Sequence, residues 1–186
     1  MHLTVHKRKD LKKSSTSKIR REGNIPGVLY GKGKESQNII INGDEFKAIL
    51  RGLKSGLLAT TILSVKGEGG HTFRAIVKDV HYHVADYSIL HIDLTLLEDH
   101  QPVSINVPIQ VVGAAECAGV KLGGFMRQVI RALKVSCLPK DIPQEFVLDV
   151  KDLSIAQSKR LSDIELPSSV RPLARMNEIA VVIAKK

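Results

Sequence analysis

The chain reads as a mainly β protein with short helices, divided into two parts near residue 97. Three observations carry that reading. Apolar and polar residues alternate at period two over most of the length, not at 3.6. Glycine and proline interrupt the apolar runs at short intervals. A polar break, Leu97-Glu98-Asp99-His100-Gln101-Pro102, separates one series of runs from a second. The 186 residues, 43% hydrophobic and 25% charged, suffice for one or two domains with buried cores.

The first part, residues 1–97, opens on the alternating run Leu3-Thr4-Val5-His6. Val28-Leu29-Tyr30 and Asn38-Ile39-Ile40-Ile41 predict short strands, with Gly31-Lys32-Gly33 closing a turn and Gly23-Asn24-Ile25-Pro26-Gly27 forming another. Asp44 to Arg51 predicts the one helix, because Phe46, Ile49 and Leu50 share a helical face. Leu57 to Lys66 and His71 to His83 flank Gly67-Glu68-Gly69-Gly70, the pattern of a β-hairpin. Ile89 to Leu97 alternates again. In the second part, residues 98–186, strands are expected at Val103–Val107, Ile109–Val112, Phe125–Ile130, Ala132–Leu138, Glu145–Val150 and Ile179–Ala184. Pro108, Pro139, Pro143, Pro167 and Pro172 mark strand edges or ends there.

Charge is concentrated at the start. The formal net charge is +9, and residues 1–34 hold 10 basic and 2 acidic side chains, a net of +8. Residues 98–186 hold 12 and 10, a net of +2. Such a balance suits a polyanion, nucleic acid or an acidic membrane surface. A solvated tail and a transit peptide are the plain alternatives. Leu3, Val5, Ile19, Ile25, Val28 and Leu29 are threaded through the basic stretch, which fits a docked segment better than a tail. The stretch also runs without a cleavage boundary into structured-looking sequence. The longest purely apolar run, Ile179 to Ala184, is too short to span a bilayer as a helix. Cys117 and Cys137 cannot form a disulfide scaffold, and the reduced cytoplasm is the expected compartment.

Enzymatic signatures are missing. There is no Walker-type phosphate loop, no G-x-S-x-G elbow and no C-x-x-C pair. His81-Tyr82-His83 with His91 is the best metal candidate, but surface exposure on a strand explains it equally well. No cofactor is expected. Two segments do carry side chains suited to RNA. Arg8-Lys9-Asp10-Leu11-Lys12-Lys13 and Ser17-Lys18-Ile19-Arg20-Arg21 supply phosphate-binding cations and hydroxyl donors. In His91-Ile92-Asp93, strand alternation turns His91 and Asp93 to one face and Ile92 to the core. A carboxylate repels phosphate, so on a basic RNA-facing surface it is informative: it suits accepting from a base amino group or orienting a neighbouring donor. A plain surface pair is the alternative for His91 and Asp93, and a half-buried core tyrosine for Tyr30.

Ser17-Lys18-Ile19-Arg20-Arg21-Glu22-Gly23-Asn24-Ile25-Pro26-Gly27-Val28-Leu29-Tyr30-Gly31 resembles the N-terminal signature of the bacterial large-subunit ribosomal proteins that bind 5S rRNA, in their long, two-domain Ctc or general-stress form. Val77-Lys78-Asp79-Val80 and Leu90-His91-Ile92-Asp93-Leu94 resemble the family's second signature. Pro102 to Ile109, Gly119 to Gly124 and Leu138 to Pro143 resemble its C-terminal domain. The resemblance implies an N-terminal β-barrel that binds 5S rRNA, residues 1–97, and a β-rich C-terminal domain, residues 98–186. It implies binding to an irregular helical region of the RNA through the minor groove. By matching position, RNA contacts fall on Arg8, Lys13, Ser17, Lys18, Arg20, Arg21, Tyr30, Lys78, His91 and Asp93. The expected role is structural, without catalysis: a basic N-terminal loop clamps phosphates while His91, Asp93 and Tyr30 fix register. Expected partners are 5S rRNA and the large ribosomal subunit with its neighbouring proteins, with no membrane and a monomer off the ribosome. A stress-linked, substoichiometric RNA-binding factor is the nearest alternative. A small enzyme using His91 and Asp93 as acid and base lacks any accompanying nucleophile or metal set.

Overall fold

The computed structural model describes residues 1–8, 12–31, 33–68 and 70–185. Lys9, Asp10 and Leu11 of the first basic segment, Lys32 of the Gly31–Gly33 turn, Gly69 of the hairpin connection and Lys186 lie outside the described residues. The backbone forms two compact units, Met1–Gln101 and Pro102–Lys186.

Alternation of apolar residues builds the first unit. Its strands are β1 (His2–Lys7), β2 (Ile25–Gly31), β3 (Lys34–Ile41), β4 (Ile62–Lys66), β5 (Thr72–Tyr82) and β6 (Ile89–Leu96). They close into a barrel in the order β1-β3-β2-β6-β5-β4, with β4 returning to β1 in parallel. Closure leaves no sheet edge open. Leu3 and Val5, Leu63 and Val65, Ile92 and Leu94 turn inward as alternate residues of three strands, and Ile39 and Ile41 join them. Helix α2 (Gly43–Gly52) adds Phe46 and Ile49 to the same core. Its N-terminus is capped by the Asn42 side chain, which accepts from the Asp44 and Glu45 amides. At Gly27 the barrel wall admits no side chain: a Cβ there would lie 2.6 Å from the Ile92 carbonyl oxygen and 2.9 Å from Ile41 Cδ1.

Three local expectations are corrected. The second part of the basic loop is instead a helix, α1 (Lys13–Arg21). Its polar composition masks it, since only Ile19 is buried. The C-terminal end explains why it forms. Gly23 is left-handed at φ 82°, its amide donates to the Arg20 carbonyl, and the Asn24 amide donates to the Ile19 carbonyl. This pair of bonds is a Schellman cap, so the expected Gly23–Gly27 turn is a helix stop followed at once by β2. Arg20 and Arg21 in the last turn complement the helix dipole. Secondly, Leu57–Thr60, expected as strand, is a 3-10 turn after left-handed Gly56. Thirdly, Pro108 does not end a strand, as the second unit makes plain.

That second unit carries β7 (Val103–Val112), a short helix α3 (Ala118–Lys121), β8 (Phe125–Gln128), β9 (Ala132–Cys137), β10 (Phe146–Asp149), β11 (Ser158–Arg160), β12 (Arg171–Pro172) and β13 (Ile179–Ala184). They form a four-stranded sheet, β10-β7-β9-β12, and a three-stranded sheet, β11-β13-β8. β7 alternates cleanly, burying Val103, Ile105, Val107 and Ile109. It runs straight through Pro108 because that residue's missing N–H falls at a ladder end: Pro108 faces Ala132, the first residue of β9, and β10 pairing begins only at Ile109. The whole is a mainly β protein with short helices, an N-terminal barrel and a β-rich C-terminal unit.

Candidate RNA interface

The site is built on the outer wall of the barrel where β2, β6 and β5 lie side by side. β6 presents His91 and Asp93 outward because Ile92 and Leu94 between and beyond them are fully buried. The parallel register sets Val28 of β2 beside Asp93 and Tyr30 beside Thr95. The antiparallel register sets His81 of β5 across from His91 and Asp79 across from Asp93. A bulge between Val77 and Asp79 turns both Lys78 and Asp79 outward. Lys78 Nζ then lies 5.1 Å from the centroid of the half-exposed Tyr30 ring, a cation–π contact.

His91 and Asp93 form the most enclosed polar pair on this wall, with side chains 28% and 19% exposed. Nδ1 of His91 lies 2.9 Å from Oδ1 of Asp93. The two atoms are in direct contact, and Oδ1 is shut away from solvent. Among the described residues no protein group donates to Oδ2. The carboxylate therefore keeps acceptor capacity that the protein leaves unfilled. Burial pushes the His91 pKa below its ordinary value, and the charges of His81 and Arg8 act the same way; Asp93 pulls it upward by less. Enclosure thus favours the neutral imidazole over the charged one. The His81 ring meets it edge-on at 6.0 Å.

Helix α1 and Arg8 flank the pair. At 100° per residue, Lys13, Ser17, Arg20 and Arg21 share one side of α1, Lys18 borders it, and Thr16 and Ile19 face inward. The helix thus gathers five of the expected contact residues on one outward surface. Arg20 Nε donates to the Leu90 carbonyl at 3.1 Å, tying the helix end to the residue before His91. Lys18 lies 3.9 Å from Glu22. The Ser17 hydroxyl donates back to the Lys13 carbonyl. Arg8 is differently employed: its guanidinium donates to Thr16 Oγ1 at 3.1 Å and to Asn38 Oδ1 at 3.3 Å. It holds α1 against β3, while its Nε is buried without a partner.

Sequence reasoning missed Thr16, Asn38 and the Leu90 carbonyl, which position Arg8 and Arg20. Their partners lie up to 70 residues away, where no local pattern reaches. His81 was visible in the sequence only as a metal candidate, and in the fold it is the ring partner of His91. Among the described residues no group of three or more His, Cys, Asp or Glu side chains is arranged to hold a metal.

Residues 3–94 match the model of the ribosomal L25p family, and residues 102–186 match that of the ribosomal protein TL5 C-terminal domain. The large ribosomal subunit protein bL25 of Chlamydia abortus is 44% identical over the whole of both chains. Those of Chlamydia caviae and Chlamydia pneumoniae are 42% and 40% identical, again over both full lengths. The chain belongs to the ribosomal L25p family. It has the family's long, two-part form, and the family is one of structural ribosomal proteins, not enzymes. The N-terminal match covers α1 and nearly all of the barrel, and every expected contact residue from Arg8 to Asp93 falls inside it.

Proposed function

We propose that this protein is a structural constituent of the large ribosomal subunit, in the cytoplasm, and that its N-terminal unit, residues 1–97, binds 5S rRNA. The observation that carries the reading is the unfilled acceptor of Asp93. A carboxylate in contact with the His91 imidazole, with Oδ2 left without a protein donor among the described residues, lies on a wall that carries Lys78 on β5 and is bordered by α1 with Lys13, Lys18, Arg20 and Arg21. Cations in that number suit phosphates. A carboxylate among them suits a base amino group, because it gains nothing from phosphate. The cationic face of α1 and Lys78 bind backbone phosphates. His91, Asp93 and Tyr30 meet base edges and sugars in a minor groove that is wide and shallow in RNA. Arg8 acts through α1, as a positioning residue.

Asp93→Asn separates charge from recognition. If Asp93 merely repelled phosphate, loss of its charge would tighten binding. The expected result is weaker binding, by ~1–3 kcal/mol, because the amide places an NH₂ where an acceptor is required. His91→Ala should cost a similar amount, and the double variant less than the sum, since the two act as one unit. The fold should be unchanged, as both side chains point away from the core. Filter binding to 5S rRNA at fixed salt, with circular dichroism of each variant, measures this. Tighter binding by a folded Asp93→Asn variant removes Asp93 from the recognition site.

A further inference from the structure

The β5–β6 hairpin projects beyond the His81–His91 pair, and its tip is ordered in an unusual way. His83 and Ser88 close it, the His83 amide donating to the Ser88 carbonyl at 2.8 Å and the Tyr87 amide to the His83 carbonyl at 3.0 Å. Asp86 Oδ1 accepts from the Ser88 amide at 3.2 Å and from the Ser88 hydroxyl at 2.9 Å, and lies 2.7 Å from His83 Nδ1. These bonds hold Tyr87 at φ 53°, a left-handed conformation that a bulky side chain rarely adopts. The result is a ring 76% exposed, next to Val84 at 91%. Backbone strain in a well-bonded loop points to a functional constraint on what the loop displays.

Composition says what the tip is suited to meet. From Asp79 to Leu90 the hairpin carries Asp79 and Asp86 and no Lys or Arg, so it disfavours phosphate and leaves ring faces as its means of meeting RNA. The chain has no Trp and only three Tyr, at 30, 82 and 87. All three lie on β2 or the β5–β6 hairpin, and all are exposed. A second bulge, between His81 and Tyr82, turns those two side chains outward in succession. The aromatic and imidazole rings thus continue along the same two strands from His91 and His81 to the tip. Exposed rings on a hairpin that continues from a cationic face suit stacking on an unpaired base, with the neighbouring cations holding the backbone.

We propose that the β5–β6 hairpin tip is a second RNA contact, in which Tyr87 stacks on an unpaired nucleobase of the same RNA. The inference rests on the 5S rRNA reading above. The proper test uses the full chain, 5S rRNA, and the variants Tyr87→Gly and Tyr87→Phe, with Asp93→Asn alongside. Tyr87→Gly removes the ring and relieves the backbone, so its Tm should be no lower than that of the unaltered chain while its affinity falls at least about fivefold. Tyr87→Phe keeps the ring and should bind within about twofold. The log–log salt slope should be unchanged in both, because no phosphate contact is lost. Chemical probing of the RNA bases should show one unpaired nucleotide that the unaltered chain and Tyr87→Phe protect and Tyr87→Gly does not. Full affinity and an unaltered base footprint for Tyr87→Gly, with Asp93→Asn weakened, overturn the hairpin contact and leave the His91–Asp93 site standing. Failure of the unaltered chain to bind 5S rRNA overturns both.

Discussion

His91 is where burial and charge compete, and burial wins. Its pKa in the folded chain lies below 6.5, chiefly from desolvation. The unfolded chain therefore takes up a proton first as pH falls. The stabilising contribution is fully present above pH 6.5 and is lost as pH falls from 6.5 toward the lowered folded value. Denaturant titrations at pH 7.5 and pH 5.5 should show a larger loss for the unaltered chain than for His91→Gln; equal losses would contradict the depressed pKa. Asp93 supplies the largest opposing, upward pull on this imidazole. In Asp93→Asn the NMR titration midpoint of His91 should therefore move further down, and an upward move would show that the pair is not coupled as the geometry implies. The placement of His91 and Asp93 was legible in the sequence, because period two fixes which way they point once Ile92 is in the core. The unfilled Oδ2 of Asp93 was not legible, since it depends on which groups the fold brings to the carboxylate.

At the scale of elements, α1 does most to shape the interface and was least visible. Its stop signal, Arg20-Arg21-Glu22-Gly23, is present in the sequence, but a single buried Ile19 gives no 3.6 period to read. The helix forms because tertiary contacts hold it, which suits a short polar segment that could not stand alone in water. Two of those supports can be tested. Gly43, the first residue of α2, abuts the end of α1: a Cβ there would lie 1.9 Å from the Gly23 carbonyl oxygen. Gly43→Ala should cost about 1–3 kcal/mol of stability and weaken RNA binding by displacing α1. Gly52→Ala, at the other end of α2 with nothing within 4 Å of the new methyl, should be neutral or stabilising. Equal thermal stability of the two variants would show that the α1–α2 junction is slack. On the outward face, Arg21→Ala should lower the salt slope of RNA binding by about one phosphate contact, roughly 0.7 to 0.9 units. A slope unchanged in that variant takes Arg21 off the backbone.

For the molecule as a whole, alternation and punctuation predict a mainly β chain, and most observed strands fall on the expected runs, whereas β11 and β12 fall on none of them. Barrel closure is another matter. It depends on β1 meeting β4 in parallel, His2 beside Ser64 and Thr4 beside Lys66, a pairing across about sixty residues that no local pattern encodes. The family resemblance supplied it instead. The uneven charge of the two parts carries the central functional claim. The first 97 residues hold 16 basic and 9 acidic side chains, a net of +7, along with the whole interface, whereas residues 98–186 carry a net of +2. Titration of 5S rRNA with residues 1–97, residues 98–186 and the full chain, footprinted side by side at one salt concentration, tests that claim most directly. Residues 1–97 should bind within about threefold of the full chain and protect the same nucleotides, while residues 98–186 bind weakly or not at all, as expected when the phosphate contacts lie in one part. Comparable affinity of the 98–186 fragment, or no binding by a folded 1–97 fragment, would contradict it.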